Sequence, residues 1–402
     1  MKFSTIIILT ALLTASGQLA NTIFVPAMGL MALYLNVNPA SIQGFIAGYL
    51  LPYGLSQFIY GPLADRYGRR PIVLIGIIIF MVGALISATA TMYGLVLLGC
   101  ILQGTGAGVG GMMFRTIMRD CFTGDKLQKA NSIMTMAVVF APLLAPIIGS
   151  ALAVTFGWRA IFYFLFIFSI VLFFIECKFL KETKPKVQHP LTLWNKYKML
   201  FKEKSFIPYT IILALIFGGI AVFEASLGII LGQIFKLNPE IISLLFILPC
   251  PFFFIGSYAA GRMSSYIQLN KIIFIGILIA FVSALCMLIP GLFNFINLII
   301  VILPLCFFML SAGLLAPTAT TGAIDPLGFI AGTAGAAIGG IQNIGAGICT
   351  TISSLIPQTT QIPLALILTI LSFISLLIFL FMIRHKGFAH MEQRELPKSD
   401  FI

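Results

Sequence analysis

Two long stretches in the second half of the chain contain no charged residue. They run from 272 to 324 and from 326 to 383, which is 53 and 58 consecutive residues without Asp, Glu, Lys or Arg. A helix that crosses a bilayer needs roughly 20 mainly apolar residues, so each stretch is long enough for two crossings. The apolar runs are continuous and do not alternate with a period of two, which excludes a transmembrane β-barrel. The sequence therefore predicts an all-α integral membrane protein.

The composition agrees with a chain that lies mostly in lipid. It is 60% hydrophobic and 9% charged, whereas a soluble domain carries about a quarter charged residues. The seven cysteines are scattered without a C-x-x-C pair, which favours small apolar packing residues over a metal site or a disulfide framework. No phosphate-binding G-x-x-x-x-G-K-[ST] segment and no catalytic cluster occurs. We expect no metal, no cofactor and no enzymatic activity.

Proline, glycine, asparagine and charge clusters divide the apolar runs into twelve predicted transmembrane helices. The first run resembles a signal peptide at its start, but it continues without a cleavage-type break, which favours a retained helix. The predicted spans are 5–29, 41–63, 71–90, 93–116, 131–154, 159–180, 206–234, 240–261, 271–290, 296–318, 328–352 and 361–384.

The basic residues predict how these helices are oriented. With twelve spans, 22 of the 24 lysines and arginines lie on the side of the N-terminus, and only Arg159 and Lys236 lie on the other. The positive-inside rule then predicts that both termini are cytoplasmic. The net charge of +12 is thus an orientation signal and does not imply nucleic-acid binding.

One hydrophilic connection divides the chain. We predict a six-helix bundle at 1–180, a cytoplasmic linker at 181–205, a second six-helix bundle at 206–384 and a cytoplasmic tail at 385–402. The linker favours a short amphipathic helix on the anionic inner leaflet, and a solvated lysine-rich linker is the alternative. Its apolar residues at helical spacing are Leu193, Trp194, Tyr197, Leu200 and Phe201.

The turn after the second predicted span carries the most specific motif in the chain. It follows the pattern G-x-x-x-D-R-x-G-R-R, with Gly61, Asp65, Arg66, Gly68, Arg69 and Arg70 at the defining positions. The Asp65 carboxylate can face the positive N-terminal end of span eleven, near Gly328, and gate the contact between the halves. In the alternative, the arginines only anchor the loop to lipid phosphates.

This motif, in a chain of two six-span halves, resembles the major facilitator superfamily. Span five adds a segment similar to the superfamily's antiporter motif, which keeps Pro146 and Gly149, has alanine or serine where the other glycines are usual, and also contains Pro142. From about 17 to 384 the chain resembles the superfamily's proton-coupled drug exporters. The resemblance implies the major facilitator fold with pseudo-twofold symmetry, a bacterial inner-membrane location and a substrate cavity between the halves.

Two ionisable residues are candidates for proton or cation coupling. Glu224 is the only acid between Ser205 and Phe235, near the middle of span seven, and an ionisable group at that depth is costly unless it has a function. It could hold a proton and release it to a cationic substrate, or serve as a structural hydrogen-bonded carboxyl. Arg115, near the inner end of span four, either enters the mouth of the cavity or extends to the membrane surface.

One position departs from the family pattern. Many drug exporters of this superfamily carry an arginine, implicated in proton coupling, just before a Leu-Gln-Gly segment in span four. This chain has Cys100 there. Coupling must then depend on other groups, and the proton stoichiometry stays open.

The remaining candidates are cavity residues. Polar side chains within spans can line a cavity or join helices, and 37 phenylalanines and 16 methionines favour an adaptable apolar cavity. The candidates are Gln18, Asn21, Gln57, Phe223, Phe252 and Gln342.

These features favour a monomeric secondary transporter that exports amphipathic or hydrophobic compounds in exchange for protons, with a role in antibiotic resistance. Its predicted partners are small hydrophobic substrates, protons and the lipid bilayer. An exporter of one metabolite or siderophore with the same fold is the nearest alternative, and a membrane sensor without transport is a distant one.

Overall fold

A computed structural model describes residues 3–122, 124–184 and 193–384, and nearly all of them are helical. Twelve long helices and one short helix follow one another along the described chain. They are α1 (Phe3–Leu35), α2 (Pro39–Tyr67), α3 (Arg69–Thr89), α4 (Tyr93–Cys121), α5 (Gly124–Phe156), α6 (Arg159–Phe179), α7 (Leu193–Lys202), α8 (Phe206–Ile234), α9 (Pro239–Met263), α10 (Leu269–Leu292), α11 (Leu298–Ile324), α12 (Ala331–Ser354) and α13 (Ile362–Arg384).

The twelve long helices agree with the predicted spans, and the all-α fold is confirmed. Within the described residues, nine helical segments are long and apolar enough to cross a membrane by length and composition. The helices α2, α5 and α12 are not among those nine. α2 carries several glutamines, serines and tyrosines, and α12 is rich in glycine and alanine, so both are suited to packing against other helices and are less suited to facing lipid.

Local sequence signals define where several helices begin and bend. The Asn38 side chain accepts a hydrogen bond from the backbone N–H of Ala40 at 2.9 Å and caps α2, and Asn297 caps α11 in the same way. A 3₁₀ turn at Val25–Ala27, which contains Pro26, interrupts α1. Pro249 lies at a break inside α9, as expected of a residue that lacks a backbone N–H.

The packing order of the first six helices repeats in the last six. In the first set α1 packs on α4, α5 and α6, while α4 also contacts α2 and α3, and α3 contacts α6. In the second set α8 packs on α11, α12 and α13, while α11 also contacts α9 and α10, and α10 contacts α13. Each pair in one set has its counterpart in the other. This is the predicted pseudo-twofold arrangement, while the boundaries at 180 and 205 stay predictions.

The two halves meet along two equivalent helix pairs. α2 packs on α12, and α5 packs on α9. The first contact needs small residues, because a Cβ atom on Gly54 would lie only 2.7 Å from the carbonyl oxygen of Gly340. A cavity lies between these two seams.

Candidate functional site

The cavity has a volume of about 280 Å³ and is enclosed by four helices of each half. Its walls come from α1, α2, α4 and α5 on one side and from α8, α9, α11 and α12 on the other. Aromatic and aliphatic side chains form much of the wall, including Phe114, Phe217, Phe223, Phe246, Phe253 and Phe254. A few polar groups interrupt this surface, as is usual for sites that bind small organic molecules.

Most of the predicted cavity residues lie in this wall. Gln18 and Asn21 of α1, Gln57 of α2, Phe223 of α8 and Gln342 of α12 all line it. Pro142 and Pro146 of the antiporter-like segment line it too. Gly149 has a packing role, since a Cβ atom there would lie 1.7 Å from the carbonyl oxygen of Ile23. It therefore permits close contact between α1 and α5.

Phe252 does not line the cavity, and its assignment as a cavity residue is wrong. Its ring packs against Phe307 of α11, with centroids 6.2 Å apart. In the part of α9 that follows Pro249, the residues that line the cavity are Cys250, Phe253 and Phe254. They share one face because residues three and four apart are neighbours on a helix. Phe252 lies between them in sequence and points elsewhere.

Glu224 lies in the cavity wall and is bonded across the two halves. The Asn21 amide Nδ2 donates a hydrogen bond to Glu224 Oε2 at 3.3 Å, which links α1 to α8. Among the described residues, Asn21 Oδ1 is buried and has no hydrogen-bond partner. The sequence indicated the depth of Glu224 in its helix but not its partner. The carboxyl therefore lies both in the cavity and at a contact between the halves.

Arg115 of α4 also lines the cavity. Its guanidinium NH1 donates to the carbonyl oxygen of Gly111 at a long 3.4 Å, and its Cζ lies 4.5 Å from the centroid of the Phe114 ring. It forms no ion pair with any carboxylate that the structure describes. Across the cavity, a Cβ atom on Gly335 of α12 would lie 3.3 Å from Arg115 Cδ. Of the two predicted alternatives, the structure supports a position at the cavity.

Cys100 lies away from the cavity wall. Its side chain is 1% exposed within the packed first half. Nearby, Gln103 Nε2 donates to Ser87 Oγ at 3.0 Å, so polar contacts between α3 and α4 surround this position. Arg115, the arginine that does reach the cavity, lies about four turns further along α4.

A second cluster forms where α2 ends at Tyr67 and α3 begins at Arg69, so the predicted turn is reduced to Gly68, and this end of the bundle is here called the Arg69 end. Arg69 begins α3 and is only 6% exposed. Its NH1 pairs with Asp65 at 2.5 Å, and its Nε pairs with Asp120 of α4 at 2.9 Å. One guanidinium thus joins the ends of α2, α3 and α4.

The other two arginines of the turn have different environments. Arg70 NH2 donates to the carbonyl oxygen of Cys177 on α6 at 2.7 Å. Arg66 is exposed, and its guanidinium lies 5.1 Å from the centroid of the Tyr67 ring. Of the three arginines, only Arg66 is exposed and so suited to anchoring the loop to lipid phosphates.

Glu182, which the sequence analysis did not single out, completes this cluster. Its carboxylate accepts the backbone N–H of Arg69 at 2.8 Å and of Arg70 at 3.3 Å, and so caps the start of α3. Gly68 has φ of +102°, and a Cβ atom there would lie 2.4 Å from Glu182 Oε2, so glycine is required. Partial burial disfavours the charge, but the backbone donors outweigh it and lower the pKa of Glu182.

The linker helix α7 packs beside the same turn. The Tyr197 ring lies 5.8 Å from the Phe58 ring, and burial together with the negative charge of Asp65 raises the pKa of the Tyr197 phenol. Among the described contacts, none joins Asp65 to the start of α12 near Gly328. The predicted gating contact between the halves stays a prediction.

The opposite end of the bundle, here called the Gln43 end, is closed by uncharged contacts. Gln43 Nε2 of α2 donates to Ser226 Oγ of α8 at 3.5 Å, and that hydroxyl lies 3.4 Å from Ser353 Oγ of α12. Ser243 of α9 donates to the carbonyl oxygen of Pro146 on α5 at 3.3 Å. A Cβ atom on Gly228 would lie 2.8 Å from the Val25 carbonyl oxygen. The Ser226–Ser353 pair lies within the second half, and the other contacts connect the two halves.

Comparison with known proteins identifies the family. The Major Facilitator Superfamily profile matches residues 10–350. The chain is 39% identical to multidrug resistance protein D of Escherichia coli K12, over 93% of this chain and 95% of that protein. It is 24% identical to the bicyclomycin resistance protein homolog of Haemophilus influenzae, over 89% and 91% of the two chains. A shorter match, 29% identical over 40% of each chain, is to multidrug resistance protein MdtL of Salmonella heidelberg. The predicted resemblance is confirmed: this chain belongs to the Major Facilitator Superfamily, and it is a multi-pass membrane transporter.

Proposed function

We propose that this transporter exports amphipathic and hydrophobic compounds in exchange for protons, by alternating access to one cavity. Two of the relatives carry the name multidrug resistance protein. The cavity wall supports the same reading, because its surface is mainly apolar and six phenylalanines contribute to it. Such a surface accepts varied apolar bodies better than it selects one strongly hydrogen-bonded solute. We further propose a bacterial inner-membrane protein whose Arg69 end faces the cytoplasm, from the distribution of basic residues.

The observation that carries the proposal is the bond between Asn21 and Glu224. It lies in the cavity wall and joins the two halves at 3.3 Å. A hydrogen bond to an ionised carboxylate is shorter and about twice as strong as one between neutral groups. Protonation of Glu224 therefore weakens a contact between the halves, and deprotonation strengthens it. One proton can in this way bias which conformation is populated.

Exchange follows if substrate and proton compete for Glu224. A substrate cation that enters the cavity stabilises the ionised carboxylate and displaces its proton. When the cavity opens to the other side, a proton arriving from the medium displaces the substrate. Asn21 suits both states, because its Nδ2 donates to the carboxylate and its unpartnered Oδ1 can accept from the protonated acid after the amide rotates.

Proton release on substrate binding tests this proposal. A lipophilic cation such as tetraphenylphosphonium is added to purified protein in weakly buffered detergent, and the pH of the solution is recorded. We expect proton release from the unaltered protein and none from Glu224→Gln. Glu240→Gln is the matched control, because Glu240 is exposed in the first turn of α9. Equal proton release from Glu224→Gln would overturn Glu224 as the proton carrier. A panel of metabolites in the same assay tests the alternative, an exporter of one metabolite or siderophore.

A further inference from the structure

The cavity holds one basic and one acidic side chain among its described lining residues, Arg115 and Glu224. They form no ion pair with each other. Glu224 has Asn21 as a partner. Among the described residues Arg115 has no carboxylate partner: it has the long bond to the Gly111 carbonyl, the face of Phe114 and an electrostatic interaction with Tyr53. The proposed exchange uses Glu224 and leaves Arg115 without a role.

A guanidinium without an anion is costly in such a place. Removing a charge from water is unfavourable unless a partner and hydrogen bonds compensate for it. One weak carbonyl contact and one aromatic face compensate for only part of that cost. A planar guanidinium also offers two parallel N–H donors, which match a carboxylate. The geometry of Arg115 is therefore that of a residue whose anion comes from outside the protein.

Unpartnered acceptor oxygens give a second, independent indication of a ligand. Gln57 lines the same cavity and is 2% exposed, and its Oε1 is buried without a hydrogen-bond partner among the described residues. A Cβ atom on Gly339 would lie 3.2 Å from this oxygen and 3.5 Å from Arg115 NH1. The absence of a side chain at Gly339 thus leaves room beside both groups. Among the described residues that line the cavity, Asn21 Oδ1 is the other unpartnered acceptor, and it lies beside Glu224.

We propose that the cavity binds zwitterionic amphipaths, with the anionic group of the ligand on Arg115 and its protonated amine on Glu224. The apolar body between the two groups contacts the phenylalanines. This inference rests on the proposed function for its Glu224 half. The charge balance is simple, because the ligand keeps both of its charges and the proton that leaves Glu224 goes to the solvent. Arg115, Glu224 and the two ligand charges then sum to zero in the occupied cavity.

An organic anion without an amine fits less well. Its negative charge beside Arg115 would favour the protonated form of Glu224. The anion would then be transported in the same direction as the proton. That behaviour is the reverse of exchange. A cation without an anionic group would leave Arg115 unpaired and would add a second positive charge to the cavity. Only a ligand with both charges satisfies both groups and still displaces the proton.

Three probes with one apolar body test the proposal. The first is an N-aryl piperazine carrying a carboxylate, which is zwitterionic near pH 7. Its methyl ester is a cation, and its N-acetyl derivative is an anion. Binding to the purified full-length protein is measured by equilibrium dialysis. We expect the zwitterion to bind at least tenfold more tightly than either derivative, and this comparison requires no variant.

Variants then assign each charge. Arg115→Gln should weaken binding of the zwitterion to the level of the ester and should leave binding of the ester unchanged or tighter. Arg115→Lys should retain part of the difference in affinity between the two probes. Glu224→Gln should weaken the zwitterion to the level of the N-acetyl probe. Arg262→Gln, at an exposed arginine near the end of α9, is the control and should change none of the three.

Two results would overturn the proposal. One is equal binding of the ester and the zwitterion by the unaltered protein. The other is an equal loss of binding affinity for all three probes in Arg115→Gln. Failure of the proposed function has a different signature. In that case neither the ester nor the zwitterion releases protons, while the binding difference between the probes can still be measured.

Discussion

The two ends of the bundle are held together by different chemistry. At the Arg69 end, a buried arginine pairs with Asp65 and Asp120, and Glu182 caps α3. All of these charged contacts lie within the first six helices and the adjoining chain. At the Gln43 end two of the bonds, Gln43–Ser226 and Ser243–Pro146, join one half to the other, and neither of them involves a charge. The strong, charged contacts therefore lie at one end and within one half, whereas the weak, uncharged contacts between the halves lie at the other end.

This division suits a protein that must alternate between conformations. A neutral hydrogen bond contributes about 0.5–1.5 kcal/mol, so bonds of this kind can break and reform in each cycle. A buried ion pair that loses one partner costs about 3–5 kcal/mol. We infer that the charged cluster preserves the shape of one half, while weak contacts at the Gln43 end open. The following predictions test that contrast, from the largest effect to the smallest.

Arg69→Ala should have the largest effect. It leaves Asp120, whose side chain is 11% exposed, without its ion-pair partner. We expect a loss of about 3–5 kcal/mol in the free energy of unfolding, measured by chemical or thermal denaturation in detergent. Arg66→Ala is the matched control, since Arg66 lies in the same turn but is exposed. If the two variants were equally stable, the charged contacts at the Arg69 end would not be stronger than the uncharged contacts at the Gln43 end.

Gly228→Ala should open the Gln43 end. The added Cβ atom would lie 2.8 Å from the Val25 carbonyl oxygen, so α1 and α8 must separate. We expect a loss of about 1–3 kcal/mol in the free energy of unfolding. We also expect faster thiol labelling of Ser353→Cys, measured in a background without the native cysteines. Gly232→Ala on the same helix is the control, because its nearest contact, Ile242, would be at an ordinary 3.6 Å. Unchanged labelling of Gly228→Ala would contradict this picture of the seam.

Much of the fold could be predicted because membrane helices leave a strong trace in sequence. Apolar runs bounded by charge located the twelve helices, and the isolation of Glu224 indicated its depth. Periodicity cannot say which face of a bent helix meets a cavity. The sequence predicts Phe252 as a wall residue on composition alone, whereas in the structure Phe253 and Phe254, past the break at Pro249, line the cavity.

Partners that are distant in sequence could not be predicted at all. Glu182 and Arg69 are 113 positions apart, and no fixed spacing links them. The same holds for Asn21 and Glu224, which are 203 positions apart. The Gly61–Arg70 motif indicated that its arginines matter, but only the packing distinguishes buried Arg69 from exposed Arg66. Pairings between helices depend on the tertiary structure, which one sequence does not encode in a local pattern.

Gln43→Leu should have a smaller effect than either substitution above. Gln43 makes one long bond to Ser226, and its Oε1 already lacks a partner. We expect a loss of no more than about 1 kcal/mol in unfolding free energy. A double-mutant cycle with Ser226→Ala measures the coupling between the two residues directly. A coupling as large as that between Arg69 and Asp120 would remove the proposed contrast between the ends.

Glu182→Gln should have the smallest effect, and its effect should depend on pH. The backbone donors that lower the pKa of Glu182 stabilise the folded protein at every pH above about 4.3, the ordinary value for glutamate. That stabilisation is lost as the pH falls through the lowered folded-state pKa. The stability difference between the unaltered protein and Glu182→Gln should therefore be full at pH 7, at roughly 0.5 kcal/mol because glutamine keeps one acceptor oxygen, and should shrink below about pH 4. Thermal unfolding at pH 7, 5 and 3.5 measures it, with exposed Glu240→Gln as the control. A difference that stays constant to pH 3.5 would mean that the charge of Glu182 does not hold the turn, and that packing around Gly68 does so instead.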